Sequence, residues 1–277
     1  MTPAGPLAGV GVLVTRPAAQ AEALSARLRG LGAEVVVFPA LAILPTVRPD
    51  ALRNTLAGLG AYDLAIFISP RAAEYGLAAL ADLAQNRPEH ELAGPGARTI
   101  AWPPRPRIAA VGEGTAIALA GLGVGPVLVP PGGADSEHLL ALPELARVEG
   151  RRILIFRGEG GRELLAEALR ARGAEVDYAE CYRRGRTEGA DPGPLLESLA
   201  TGRLRAVTVF SGETLDNLMS LLGEDAPRLF SIPLFAPHPR VAAHAARLGF
   251  VAAHATPPGE AGLVDGLVEY FSRDHSA

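Results

Sequence analysis

GVGVLVTRPAAQAEALSARLRGLGAEVVVFPALAI, residues 9–43, slides without a gap against GRRILIFRGEGGRELLAEALRARGAEVDYAECYRR, residues 150–184. Arg16 matches Arg157, Glu22 matches Glu163, and Leu24 and Leu28 match Leu165 and Leu169. The run Gly32-Ala33-Glu34-Val35 recurs intact as Gly173-Ala174-Glu175-Val176. Each copy reads as one physical unit. A short apolar run (Val10–Val14, Ile153–Phe156) is a buried strand. A turn of small and polar residues follows, then an amphipathic helix with apolar residues at helical spacing, closed by glycine. A second strand completes a βαβ unit, and such units build parallel sheets.

The repeat extends outward from these stretches. LAIFIS (Leu64–Ser69) echoes AVTVFS (Ala206–Ser211), each a strand running into a turn and a helix. IAAVGEGTAIALAGLG, ending at Gly123, echoes LFAPHPRVAAHAARLG, ending at Gly249. Both continue into a strand and a Pro/Gly turn, VLVPPGGADSEHLL against AAHATPPGEAGLVD. The chain is therefore two copies of one α/β half, and the expected fold is two flavodoxin-like or Rossmann-like lobes with parallel sheets. The stretch Arg87–Arg107, with Pro88, Pro95, Pro103, Pro104 and Pro106, has no counterpart in the second half and reads as a loop-rich insertion. Its Trp102 reads as a packing residue or loop anchor.

A length of 277 residues suits two domains. With 48% hydrophobic and 20% charged residues, the composition is that of a core-forming globular protein. The net charge of −4 argues against nucleic acid as a partner. All basic side chains are arginine, which stays charged and can fork onto a carboxylate. The single cysteine, Cys181, excludes an intramolecular disulfide, in keeping with a reducing cytoplasm. It reads as a half-buried structural thiol. The first apolar run is too short to span a membrane, and no signal-peptide pattern precedes it.

In open α/β sheets ligands gather at the C-terminal ends of the strands, where helix N-termini present free N–H groups. Six such turns are legible: Thr15-Arg16-Pro17, Ser69-Pro70-Arg71, Gly112-Glu113-Gly114-Thr115, Arg157-Gly158-Glu159-Gly160-Gly161, Ser211-Gly212-Glu213-Thr214 and Pro237-His238-Pro239-Arg240. Two lobes facing each other would make an anion-binding cleft. Ser69, Ser211 and Thr115 read equally well as helix caps, and Gly112, Gly158 and Gly212 as backbone necessities. Neither GxGxxG nor a Lys-Ser/Thr phosphate loop is present, so a dinucleotide site is not expected. His90, His138, His238, His244, His254 and His275 never fall at metal-ligand spacing, and no G-x-S-x-G elbow occurs.

Taken in order, the motifs resemble the uroporphyrinogen-III synthase family along nearly the whole chain. They are Thr-Arg-Pro after the first strand, FISPRAAEYG (67–76), AVGEGTAIAL (110–119), the 150–184 repeat, VFSGETLDNL (209–218) and the Ala-x-x-Pro-Pro-x-x-x-Gly-Leu-Val close (255–264). The repeat alone places a boundary near residue 145. The resemblance implies instead that the chain crosses between lobes twice, through a two-stranded β connection at Pro39–Thr46 and Tyr178–Arg186. One lobe then holds residues 1–40 and 187–277, the other 41–186, with the cleft between them.

The resemblance also implies the reaction, cyclisation of hydroxymethylbilane to uroporphyrinogen III with inversion of the terminal pyrrole and loss of water, in tetrapyrrole biosynthesis. It implies no cofactor and no metal. The substrate-binding residues carried by the turns would be Thr15, Arg16, Ser69, Pro70, Arg71, Gly112, Glu113, Thr115, Arg157, Gly158, Ser211, Gly212, Glu213, His238, Pro239 and Arg240. The family's recurrent tyrosine falls at Tyr182, as proton donor to the departing hydroxyl. Where relatives carry Gly-Pro-Thr-Thr, this chain has His238-Pro239-Arg240-Val241, so a hydroxyl contact does not carry over and Arg240 offers a charged one. The expected setting is a cytoplasmic monomer, in transient contact with the deaminase that supplies the bilane, with neither nucleic acid nor membrane as partner. The competing readings are a non-catalytic two-lobed anion-binding protein, a nucleotide-sugar transferase and a regulatory protein with synthase-like lobes.

Overall fold

A computed structural model describes residues 5–85, 102–161 and 163–274. Pro88, His90, Pro95 and His275 lie outside them. In chain order the elements are β1 (Gly11–Val14), α1 (Ala18–Gly30), β2 (Glu34–Val37), β3 (Leu41–Pro45), α2 (Pro49–Ala57), β4 (Leu64–Phe67) and α3 (Pro70–Ala84). There follow β5 (Arg107–Ala110), α4 (Glu113–Gly121), β6 (Val127–Leu128), α5 (Ser136–Leu140), α6 (Pro143–Ala146), β7 (Arg152–Gly158), α7 (Leu164–Ala171) and β8 (Glu175–Arg186). The chain ends with α8 (Gly193–Ala200), β9 (Leu204–Thr208), α9 (Gly212–Leu222), β10 (Leu234–Ala236), α10 (Pro239–Leu248), β11 (Ala253–Ala255) and α11 (Gly259–Asp274).

These elements form two compact units, Met1–Ala42 with Gly185–Ala277, and Ile43–Arg184. The chain passes from one to the other inside β3 and inside β8, which are sheet neighbours. The first unit is built on the strand order β2-β1-β9-β10-β11, and the second on β8-β7-β4-β5-β6 with β3 beyond β8. Under the sequence repeat β1 corresponds to β7, β2 to β8, and β9, β10 and β11 to β4, β5 and β6. Both sheets are therefore the same flavodoxin-like arrangement, 2-1-3-4-5. Each is assembled from the first two strands of one half and the last three of the other. The halves have exchanged their opening βαβ pieces.

The central strands read as unbroken apolar runs because both faces of each sheet are covered. Alternate residues feed opposite cores. Val12, Val14 and Ala206 point to one side of the first sheet, Leu13 and Val207 to the other. In the second sheet Leu64, Ile66, Ile153 and Ile155 share one core, while Ala65, Phe67, Leu154 and Phe156 share the other. Trp102 packs into that last core edge-on to Phe67 at 5.9 Å and donates its indole N–H to the Pro106 carbonyl at 2.9 Å, the anchoring role read from sequence. The two repeat helices end alike, with Gly32 at φ +94° and Gly173 at φ +84° reversing the chain into the next strand.

Candidate active site

All six turns named from the sequence lie at the C-terminal ends of strands. Three follow β1, β9 and β10, adjacent strands of the first sheet; three follow β7, β4 and β5, adjacent strands of the second. The pairs β1/β9 and β7/β4 are the points where strand order reverses, the position at which open α/β sheets receive ligands.

In the first unit the switch point is tied from within. Thr15 is fully buried, and its hydroxyl donates to the Thr208 carbonyl at 2.7 Å, while the Thr208 hydroxyl donates to the Leu13 carbonyl at 2.6 Å. The Arg16 guanidinium pairs with Glu260 at 2.7 Å, donates to Gln20 at 2.8 Å and lies 4.4 Å over the Phe210 ring. Ser211 caps α9, accepting from the Thr214 N–H at 3.1 Å, with Gly212 and Glu213 opening the helix. At the turn before α10, Nδ1 of His238 accepts from the Arg240 N–H at 3.3 Å, Pro239 takes the first helical position, and the Arg240 side chain is exposed.

The second unit contains a cavity of about 460 Å³ at its own switch point. Its walls include Ile68, Val111, Ile155, Leu164 and Leu165, with Arg157, Gly158, Glu159, Tyr178, Tyr182 and Arg184. Of the catalytic and substrate-binding candidates named from sequence, it gathers Arg157, Gly158 and Tyr182, with Glu159, Gly160 and Gly161 of the same turn. Ser69 joins them through its hydroxyl, 3.3 Å from that of Tyr182. Ser69 is also the N-cap of α3, accepting from the Ala72 N–H at 3.1 Å, with Pro70 next and Arg71 ion-paired to Glu74. Thr115 is not a cap. Gly112 holds that position on α4, Glu113 sits in its first turn, and Thr115 is buried three residues in. A side chain at Gly112 would meet Ala134 Cβ at 2.5 Å.

Tyr182 reaches this cavity through an irregularity in β8. Arg157 is opposite Glu180 but Gly158 is opposite Tyr182, so Cys181 is an extra residue in the ladder. Such a bulge re-aims the side chain beside it. The Tyr182 ring then packs on the Gly158 backbone and lies 5.8 Å from the Tyr75 ring. Cys181 is buried more deeply than the half-buried thiol expected from sequence, because it points into the core with Phe156 and Ala179. Burial pushes its thiol pKa up.

Arg157, the repeat partner of Arg16, is consumed locally. Its side chain is buried, pairs with Glu163 at 2.9 Å, donates to the Gly160 carbonyl and lies 4.6 Å over the Tyr178 ring. Tyr178 donates to the same Glu163, and its own pKa is raised by burial and by that carboxylate. Arg157 thus shapes the glycine-rich turn.

Glu159, read from sequence only as a member of this turn and not as a site residue, fastens the turn to the segment after β3. Its carboxylate accepts from the Thr46 hydroxyl at 2.7 Å and the Val47 N–H at 3.0 Å, and its N–H donates to the Tyr182 carbonyl at 2.7 Å. Burial opposes its ionisation. The Thr46 and Val47 hydrogen bonds and the charges of Arg48 and Arg183 outweigh that and lower its pKa. A depressed carboxylate contributes stability above its unfolded pKa, lost as pH falls through the folded value. Glu159→Gln is therefore expected to cost about 1 kcal/mol at pH 7, with the difference from wild type closing as pH drops below the ordinary 4.5. Urea melts at pH 7 and pH 3.5 measure this; equal costs at both would show that the charge contributes nothing. Nothing in the motif pattern marks Glu159, because its partners are 112 and 113 residues away.

Among the described residues no group of three His, Cys, Asp or Glu side chains is placed to hold a metal ion, and no helix is long and apolar enough to cross a membrane.

A family model described as uroporphyrinogen-III synthase HemD matches residues 22–265. Uroporphyrinogen-III synthase of Escherichia coli K12 is 37% identical over 215 residues, covering 77% of this chain and 80% of that protein. Its Salmonella typhimurium counterpart is 38% identical over 217 residues, covering 76% and 80%. Among solved structures, a mutant uroporphyrinogen III synthase from the extreme thermophile Thermus thermophilus superposes with a TM-score of 0.52 at 22% identity, covering 96% of this chain and 99% of that one. The enzyme from Helicobacter pylori gives 0.52 at 12% identity, covering 94% and 99%. The two structures support the fold; the sequence matches support the family.

Proposed function

This chain belongs to the uroporphyrinogen-III synthase family, and we propose that it cyclises hydroxymethylbilane to uroporphyrinogen III and water, inverting the terminal pyrrole, in tetrapyrrole biosynthesis. It is a cyclising lyase. Departure of the hydroxymethyl hydroxyl leaves an electrophilic azafulvene. The substituted carbon of the far terminal ring attacks it, and the spirocyclic product fragments and recloses with that ring reversed. This reactivity belongs to the substrate, which also closes unaided to the uninverted isomer. The protein's task is to favour one folded form of the bilane over another.

The single observation that carries this reading is the match along residues 22–265 to one family. The two compact units serve as its lobes. The six strand-end turns are the carboxylate-holding positions, acting largely through backbone N–H groups. Thr15 and Arg157 have their side chains engaged within the protein and serve by holding those turns in shape, as do the caps Ser69 and Ser211. Arg16, Arg71, Glu113, Thr115, Glu213 and the His238-Pro239-Arg240 turn flank the same strand ends, with Arg240 supplying the exposed charge. Tyr182 protonates the departing hydroxyl; what supports it is its place on the cavity wall with its hydroxyl beside Ser69. The protein works as a cytoplasmic monomer that receives its unstable substrate from the upstream deaminase.

The test generates hydroxymethylbilane in situ, adds the protein, oxidises the products and resolves the isomers. Type III product is expected in excess of the spontaneous type I; type I alone refutes the reading.

A further inference from the structure

Among the described residues two arginines, Arg157 and Arg184, line the cavity of the second unit, and they differ in one respect. The Arg157 guanidinium is engaged by Glu163, the Gly160 carbonyl and the Tyr178 ring. Arg184 is exposed, and no carboxylate among the described residues pairs with it. It stands two residues beyond Tyr182 on β8, so the bulge that turns the tyrosine toward Ser69 leaves Arg184 on the same cavity. Ile68, Val111, Ile155, Leu164 and Leu165 give the wall an apolar surface suited to a flat aromatic ring. Of the acidic residues that also line it, Asp135 is engaged by His138 and Glu159 by Thr46 and Val47, and Glu137 is exposed.

We propose, on the basis of the reaction proposed above, that Arg184 anchors a carboxylate of the hydroxymethyl-bearing terminal pyrrole and so turns that ring's hydroxyl toward Tyr182. A pyrrole carrying acetate and propionate presents an apolar ring with charged arms, which matches an apolar surface beside the exposed Arg184 guanidinium. A planar fork holds a carboxylate at two points, fixing the ring's orientation as well as its position. An ammonium at the same place supplies charge without that fork. Arg184 is a positioning residue; the proton comes from Tyr182.

The test pairs protein and substrate changes. Arg184→Met and Arg184→Lys are assayed with bilane made in situ, and with two analogues of it. One has the acetate of the hydroxymethyl-bearing ring replaced by methyl, the other its propionate replaced by ethyl. Arg184→Met is expected to raise KM at least about tenfold with a smaller change in kcat and an unchanged Tm, and Arg184→Lys to recover part of the loss. One analogue should cost the wild type a similar factor, and Arg184→Met should add nothing further on that analogue. A wild-type KM for Arg184→Met overturns the proposal, as do equal losses on the natural bilane and both analogues. Type I product alone from the wild type removes the underlying reaction instead, which separates the two failures.

Discussion

Tyr182→Phe is expected to lower kcat for type III product roughly 100-fold, within the range that a positioned proton donor contributes, while leaving the protein folded. The asymmetry follows from the packing. The ring stays pressed against the Gly158 backbone and 5.8 Å from Tyr75, and only the hydroxyl is lost. That hydroxyl touches Ser69 at 3.3 Å, long for a bond between oxygens. Ser69 also keeps its role as acceptor of the Ala72 N–H. Removing so weak a contact costs at most about 1 kcal/mol, a fall in Tm of roughly 2–4 °C for a chain of this size. Steady-state rates with isomer analysis and a thermal melt of the same sample decide it. An unchanged rate with a lowered Tm would make Tyr182 a packing residue.

Gly158→Ala should do comparable damage to the rate and more to stability. A Cβ at this position would lie 2.6 Å from Tyr182 Cε2 and 2.7 Å from Cζ, closer than such carbons come. The ring has nowhere to retreat, since Tyr182 is only 6% exposed and Tyr75 is packed nearby. Overpacking of this kind costs about 1–3 kcal/mol, and it moves the hydroxyl proposed above as the proton donor. Because both substitutions act through one hydroxyl, their effects on kcat should not add: the double variant should turn over no more slowly than the worse single one, within about threefold. Gly158→Ala with wild-type turnover would dissociate the tyrosine's position from the chemistry.

Much of the candidate site's framework was legible in the residues. The apolar runs with small, hydroxylated or basic residues behind them marked six strand ends, and all six are strand ends. Ser69 and Ser211 proved to be caps, a function any serine before a helix performs locally. Gly158 was visible only as a permissive backbone. The reason it is glycine is a ring that arrives from position 182. Arg157 looked like an anion ligand because its partners Glu163 and Tyr178 are ordinary residues in any linear scan. Thr15 and Thr208 bond across 193 and 195 positions of sequence, and periodicity carries no trace of such a pair. Glu159 and Arg184 differ from other charged residues on the chain only in what folding brings beside them.

The sequence by itself determined the α/β class, the order of strands and helices, the parallel pairing inside each βαβ piece and the family. All of these depend on local periodicity or on the order of motifs. Which strands share a sheet is not written in the strand patterns; the family resemblance implied the grouping, and only tertiary packing makes it. The two halves carry equivalent strands with equivalent apolar patterns, so β1 and β2 could complete a five-stranded sheet with β4–β6 or with β9–β11. Strand periodicity is the same for both choices, because a parallel strand buried on two faces presents the same apolar run to either neighbour. The choice is made by long-range packing, in which β1 joins β9 and β7 joins β4. That exchange sends the chain twice across between the units, and the second crossing strand carries Tyr182 and Arg184 to a cavity that also takes Ile68 and Val111 from the ends of β4 and β5.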